Sequence, residues 1–132
     1  MFIAYNVSLD LIRALRPLVP AIQKSDRDLA VQLRRAATSV SLNLGEGSRR
    51  EGGDKRRHFE MAHGSAGEVL TALDVADSWG YVLEQDVPRQ LLDRLLALLW
   101  RLTHGRARLP DDRDPTDVTA RLAAEARTRG QA

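Results

Sequence analysis

The feature that most restricts this chain is a recurrence of apolar residues at steps of three and four in four successive segments, separated by glycine, proline and capping residues. Steps of three and four put side chains on one face of a helix, and a helix apolar on one face must bury it against another. Val7, Leu11, Leu15, Leu18 and Ile22 form the first stripe, with Ser8 as a candidate N-cap. Pro17 and Pro20 fall inside it. Each lacks an amide hydrogen and crowds the preceding turn, so this helix either kinks or ends early. A second start lies at Ser25-Asp26-Arg27-Asp28, where Ser25 can cap and the acids sit near the positive end of the helix. Its stripe runs Leu29, Leu33, Ala36, Val40, Leu44, and Gly45-Glu46-Gly47 is expected to stop it. The third helix is expected over about 54–78, with Phe59, Ala62, Ala66, Val69, Leu73 and Ala76 inward. Gly64 and Gly67 cost that helix about 1 kcal/mol each against Ala, with close helix packing as the expected compensation.

Asp86-Val87-Pro88 opens a fourth helix that reaches about His104-Gly105, after Trp79-Gly80-Tyr81 has closed the third. Leu91, Leu95, Leu98 and Leu102 make one stripe; Leu92, Leu96, Leu99 and Trp100 widen it past the roughly 100° that a surface helix needs. This surplus predicts a homo-oligomer interface at Leu92, Leu96, Leu99 and Trp100. The apolar residues are mostly Leu, Ala and Val, and aromatics are 5% of the chain, which favours helices over strands. At 132 residues one core is expected: an all-α four-helix bundle over residues 1–105, followed by a short charged C-terminal extension, 106–132. In that extension Asp114-Pro115-Thr116-Asp117 is a weak capping pattern ahead of Val118 and Leu122, compatible with a short helix or with a disordered tail.

Catalytic readings fare poorly. The chain has no cysteine, so thiolate metal sites, disulfides and cysteine nucleophiles are excluded. Gly47 to Gly52 has the glycine spacing of a phosphate-binding loop, but Gly53 stands where the lysine belongs and no strand precedes it. His63-Gly64-Ser65-Ala66-Gly67 mimics a nucleophile elbow, yet its serine falls within a helix. His58 and His63 are five apart and do not share a helical face for zinc. A non-enzyme without cofactor or metal is the expectation. Residues 1–5 lack the pattern of a signal peptide and no run of about 18 apolar residues exists, so a cytoplasmic protein with no membrane association is expected.

The net charge of +2 hides a strong polarity: residues 34–58 hold seven bases against three acids, and 59–100 two bases against seven acids. Arg34, Arg35, Arg49, Arg50, Lys55, Arg56 and Arg57 cluster in sequence around one interhelical loop and are the candidates for binding nucleic acid. With few aromatics among them, contacts would go to phosphate and be weakly selective for sequence. The competing role is a protein-binding scaffold whose acids Glu68, Asp74, Asp77, Glu84, Asp86 and Asp93 face a basic partner.

Gln32, Arg35, Ser39, Asn43 and Glu46 make a polar stripe on the second helix, and His58, Met61, Ser65 and Glu68 one on the third. Such stripes are either solvated faces or an interhelical hydrogen-bond network, in which Arg35 and Glu68 could pair. The run from Gln32 through Ser39-Val40 to Asn43-Leu44-Gly45-Glu46-Gly47, then Phe59-Glu60-Met61-Ala62-His63-Gly64-Ser65-Ala66-Gly67-Glu68, resembles the four-helix-bundle proteins encoded in intervening sequences of bacterial large-subunit ribosomal RNA genes, a family that includes the accessory variability proteins of diversity-generating retroelements. The resemblance extends over about residues 5–104. It implies an up-and-down bundle, a homopentamer, a motif network of Gln32, Ser39, Asn43, Glu46, Ser65 and Glu68, and, for the retroelement members, binding to RNA or DNA and to a reverse transcriptase. No catalytic residues come with it. Gly45, where the family more often has Ala, and the charged tail depart from the pattern.

Overall fold

The computed structural model describes residues 3–81 and 84–104; the extension expected over 106–132 lies outside them. Among the described residues the regular structure is all helical: α1 (Ile3–Leu15), α2 (Leu18–Ser25), α3 (Arg27–Ser48), α4 (Gly52–Ser78) and α5 (Asp86–His104). The first expected helix is thus two. Pro17 and Pro20 are the cause: α1 closes with the Arg16 amide on the Ile12 carbonyl at 3.0 Å, and α2 restarts with Pro20 in its first turn, where amides have no intrahelical acceptor. Together α1 and α2 fill one position of a four-position antiparallel bundle: α2 and α1 lie on α3, α3 on α4, α4 on α5, and α5 on α1.

All sixteen residues expected inward on the first three stripes are buried, from Val7 to Ala76. The helix signals needed more correction. Ser8 is not a cap; it lies inside α1, where its hydroxyl donates to the Tyr5 carbonyl at 2.6 Å and meets the Ser41 hydroxyl at 2.9 Å. Ser25 ends α2, and Asp26 caps α3 instead, its Oδ1 accepting from the Leu29 amide at 3.0 Å. Gly45 and Gly47 do not stop α3, which runs on to Ser48. Packing decides this, because Gly47 is pressed against α4: a Cβ there would come within 2.8 Å of the Phe59 ring and 3.0 Å of His58 Cβ. Gly64 and Gly67 behave oppositely. Nothing lies within 4 Å of a Cβ at either, so close packing within the chain does not compensate them.

The fourth stripe is rotated from its expected position. Leu92, Leu95, Leu99 and Thr103 are the buried residues of α5, apart from Pro88 in its first turn, whereas Leu102 is exposed and Leu91 and Leu98 are half-buried. Leu92 and Leu99 were expected at an oligomer interface; both are fully enclosed by the bundle's own core and are unavailable to a second copy. Of that group Leu96 is half-buried against the core, and Trp100 remains exposed, its ring stacked on His104 at 4.5 Å. A wide apolar face sees neighbours on two sides, here α4 and α1, and the sequence alone does not weight them.

Candidate nucleic-acid interface

The α3–α4 turn is three residues long, Arg49-Arg50-Glu51, and sits at one end of the bundle. The Arg49 and Arg50 amides bond back to the carbonyls of Glu46 and Gly47, each at 3.1 Å, which satisfies the last turn of α3. The chain then reverses through Gly52 at φ +59°, a left-handed conformation that favours glycine. This short turn brings Arg49, Arg50, Lys55, Arg56 and Arg57 to one place. All five are at least partly exposed.

Carboxylates are interleaved with them. Glu46 holds Arg49 at 2.9 Å and Arg50 at 2.8 Å; Arg50 also reaches Asp54 at 3.4 Å, and Arg56 meets Glu60 at 3.1 Å. Hydrogen bonds from Arg49 and then Arg50 push the Glu46 carboxyl below its usual range, and Glu46 and Asp54 push Arg50 up. The Lys55 ammonium stands 5.9 Å over the Phe59 ring, and Arg57 has no ion pair among the described residues. Pairs this exposed contribute little to stability, since solvent screens them and two long side chains are ordered to make them. Their arginines can exchange a carboxylate for a phosphate.

Arg34 and Arg35 do not join this group. They lie fourteen or more residues before the turn on α3, about 20 Å along the helix at 1.5 Å per residue. The seven cations expected around one loop therefore form two groups. Arg34 borders a cleft between α3 and the α1–α2 junction, and Arg35 borders the groove between α3 and α4.

The motif residues divide as well. Ser39 and Ser65 hydroxyls meet at 2.8 Å across α3 and α4. The Asn43 side-chain amide donates to the Ser39 carbonyl at 3.0 Å and the Ser39 hydroxyl at 3.1 Å, leaving its Oδ1 to accept from His58 Nδ1 at 3.1 Å. These four residues form a half-buried polar chain that fixes the register of α3 against α4. Gln32 and Glu68 are not in it; both are exposed and border the α3–α4 groove of about 640 Å³ with Arg35, without an Arg35–Glu68 ion pair. Glu46 serves the turn instead. Reasoning from the stripes missed the join between His58 and Asn43, although they are nearly equidistant from the turn, as facing residues of an antiparallel hairpin are. Among the described residues no group of three or more His, Cys, Asp or Glu could hold a metal ion, and no helix is long and apolar enough to cross a membrane.

Residues 2–101 match the family described as 23S rRNA-intervening sequence protein. The fold is similar to that of a crystallised protein of unknown function from the S23 ribosomal protein family of Bacteroides thetaiotaomicron, with a TM-score of 0.68 and 16% identity over 77% of this chain and 99% of that one. No curated protein matches the chain. With a family match across all five helices up to α5's last turn, and with the α3–α4 motif residues packed as one hairpin, the chain belongs to the 23S rRNA-intervening sequence protein family.

Proposed function

We propose that this protein is a non-enzymatic, self-associating cytoplasmic bundle that binds RNA or DNA through the end of the α3–α4 hairpin. The observation that carries the reading is the gathering of Arg49, Arg50, Lys55, Arg56 and Arg57 on one exposed turn, where screened ion pairs leave the guanidinium groups exchangeable. Arginine forks match phosphate geometry, and backbone contacts of this kind position a polymer without reading its bases. Each copy in an assembly repeats the turn, so weak contacts add through high effective concentration. The assembly, for which the family resemblance suggests a pentamer, draws on faces outside the core: Leu42 on α3, Met61 and Val75 on α4, and Trp100 and Leu102 on α5 are all exposed.

Replacing Arg49, Arg50, Arg56 and Arg57 by Gln should abolish binding to RNA and DNA at low salt while helicity and mass by light scattering stay unchanged. For the parent, log affinity should fall with log salt by about 0.9 for every duplex phosphate neutralised, or 0.7 for single strands. Equal binding by parent and quadruple variant would favour the scaffold reading. That alternative rests on the opposite end of the bundle, where Asp74 and Asp77 at the end of α4, both paired with Arg89, and Glu84 and Asp86 at the start of α5 flank the exposed Trp79 in sequence, and a basic protein such as a reverse transcriptase would be the partner.

A further inference from the structure

The break between α1 and α2 leaves a cleft that no helix of the bundle fills. The helix is interrupted at Arg16-Pro17, and the open cleft between this junction and α3 has a volume of about 360 Å³. Its walls are apolar. Leu15, Leu33 and Ala37, all buried, close its floor, and its open apolar surface comes from the half-buried Ile12 and Val19 and the exposed Pro20. Pro20, with no amide hydrogen, borders it without presenting a donor. Two guanidinium groups border this apolar space from opposite walls, Arg16 from the α1–α2 junction and Arg34 from α3. Both are exposed, and neither has an acidic partner among the described residues.

We propose that this cleft is a binding site for a small amphipathic carboxylate, with its hydrocarbon part against Ile12, Val19 and Pro20 and its carboxylate between Arg16 and Arg34. The volume lies at the small end of ligand pockets, which suits a single chain or a single ring. Apolar walls with a few charged groups at the mouth divide the work in the usual way: burial supplies affinity and the guanidinium forks select a planar anion. The charge of the two arginines decides between occupants. A neutral apolar molecule would leave both unanswered, and a polyanion such as nucleic acid has no use for the apolar walls. This site is separate from the hairpin turn, and it gives Arg34 a role that the turn does not.

Decanoate is the probe, with decanol as its uncharged counterpart, both read by displacement of 1-anilinonaphthalene-8-sulfonate from the full chain and by thermal shift. For a ligand of this size Kd should be on the order of 0.1–1 mM, with decanol weaker by about tenfold. Arg16→Gln with Arg34→Gln should bring decanoate to the level of decanol without lowering the unfolding temperature, because both side chains are exposed. Ala37→Phe should fill the cleft and abolish binding of both; Val19→Trp closes it from the other wall should Ala37→Phe not fold. Equal binding of decanoate and decanol by the parent, or binding that survives both filling variants, overturns the proposal. So does a fall in the mass of the assembly on filling the cleft, which would make it an interface between copies, or displacement of the dye only by an acidic peptide and not by decanoate.

Discussion

Gly47 and Gly64 make opposite predictions from the same substitution. At Gly47 a new Cβ would stand 2.8 Å from Phe59 Cε1, 2.9 Å from Cδ1 and 3.0 Å from His58 Cβ. The Phe59 ring is 6% exposed and wedged in the core, so it cannot swing away into solvent. Forcing extra volume into a packed site costs about 1–3 kcal/mol, against which alanine recovers about 1 kcal/mol of helix propensity. Gly47→Ala should therefore destabilise by about 1 kcal/mol, and more if the Asn43–His58 hydrogen bond is pushed apart. At Gly64 there is nothing within 4 Å of the new atom and the backbone is helical, so only the propensity gain remains. Gly64→Ala should stabilise by about 0.5–1 kcal/mol. Urea unfolding followed by circular dichroism separates the two, with unchanged m-values showing that the midpoints report stability and not a change of state. If Gly47→Ala matches or exceeds the parent, the close approach of α3 and α4 is not a constraint, and the account of why α3 runs past its glycines fails.

Leu99→Ala should cost about 2–5 kcal/mol because the side chain is fully enclosed, while Trp100→Ala, one position on, should alter stability little and tests the proposed self-association through mass by light scattering. Asn43→Ala should destabilise by about 1–2 kcal/mol by orphaning His58 and loosening Ser39, whereas Arg35→Ala and Glu68→Ala should have small, additive effects; a coupling above about 0.5 kcal/mol in that double-mutant cycle would restore a network between them. The lowered Glu46 carboxyl contributes stability that is present above its ordinary pKa of 4.5 and is lost as pH falls through its folded value, so Glu46→Gln should flatten the acid limb of a denaturation profile. Burial, and then Asp26 at 3.3 Å, raise the Tyr81 hydroxyl above its ordinary 10.0, so its contribution is present below pH 10 and is lost as pH rises through the folded value; Tyr81→Phe should remove that alkaline loss.

What the sequence by itself determined is the class of fold and most of its core. Periodicity at steps of three and four is local information, and where a stripe is narrow it has one way to be buried, as Leu29, Leu33, Ala36, Val40 and Leu44 show. The prolines at 17 and 20 announced a break for a similarly local reason. The gathering of cations at the turn was legible too, because five of them lie within nine residues. Tertiary structure decided everything that depends on a second helix. Gly47 reads as a stop until Phe59 is seen against it, and Gly64, the same residue type, faces open space. The width of the α5 stripe left its buried centre undetermined until α4 and α1 enclosed Leu92, Leu95 and Leu99. Arg34 belongs by sequence to a run of bases and by packing to a cleft across from Arg16, since two residues share a site only when helices bring them together. Distance along the chain measures helical rise, and only packing across the bundle turns it into contact.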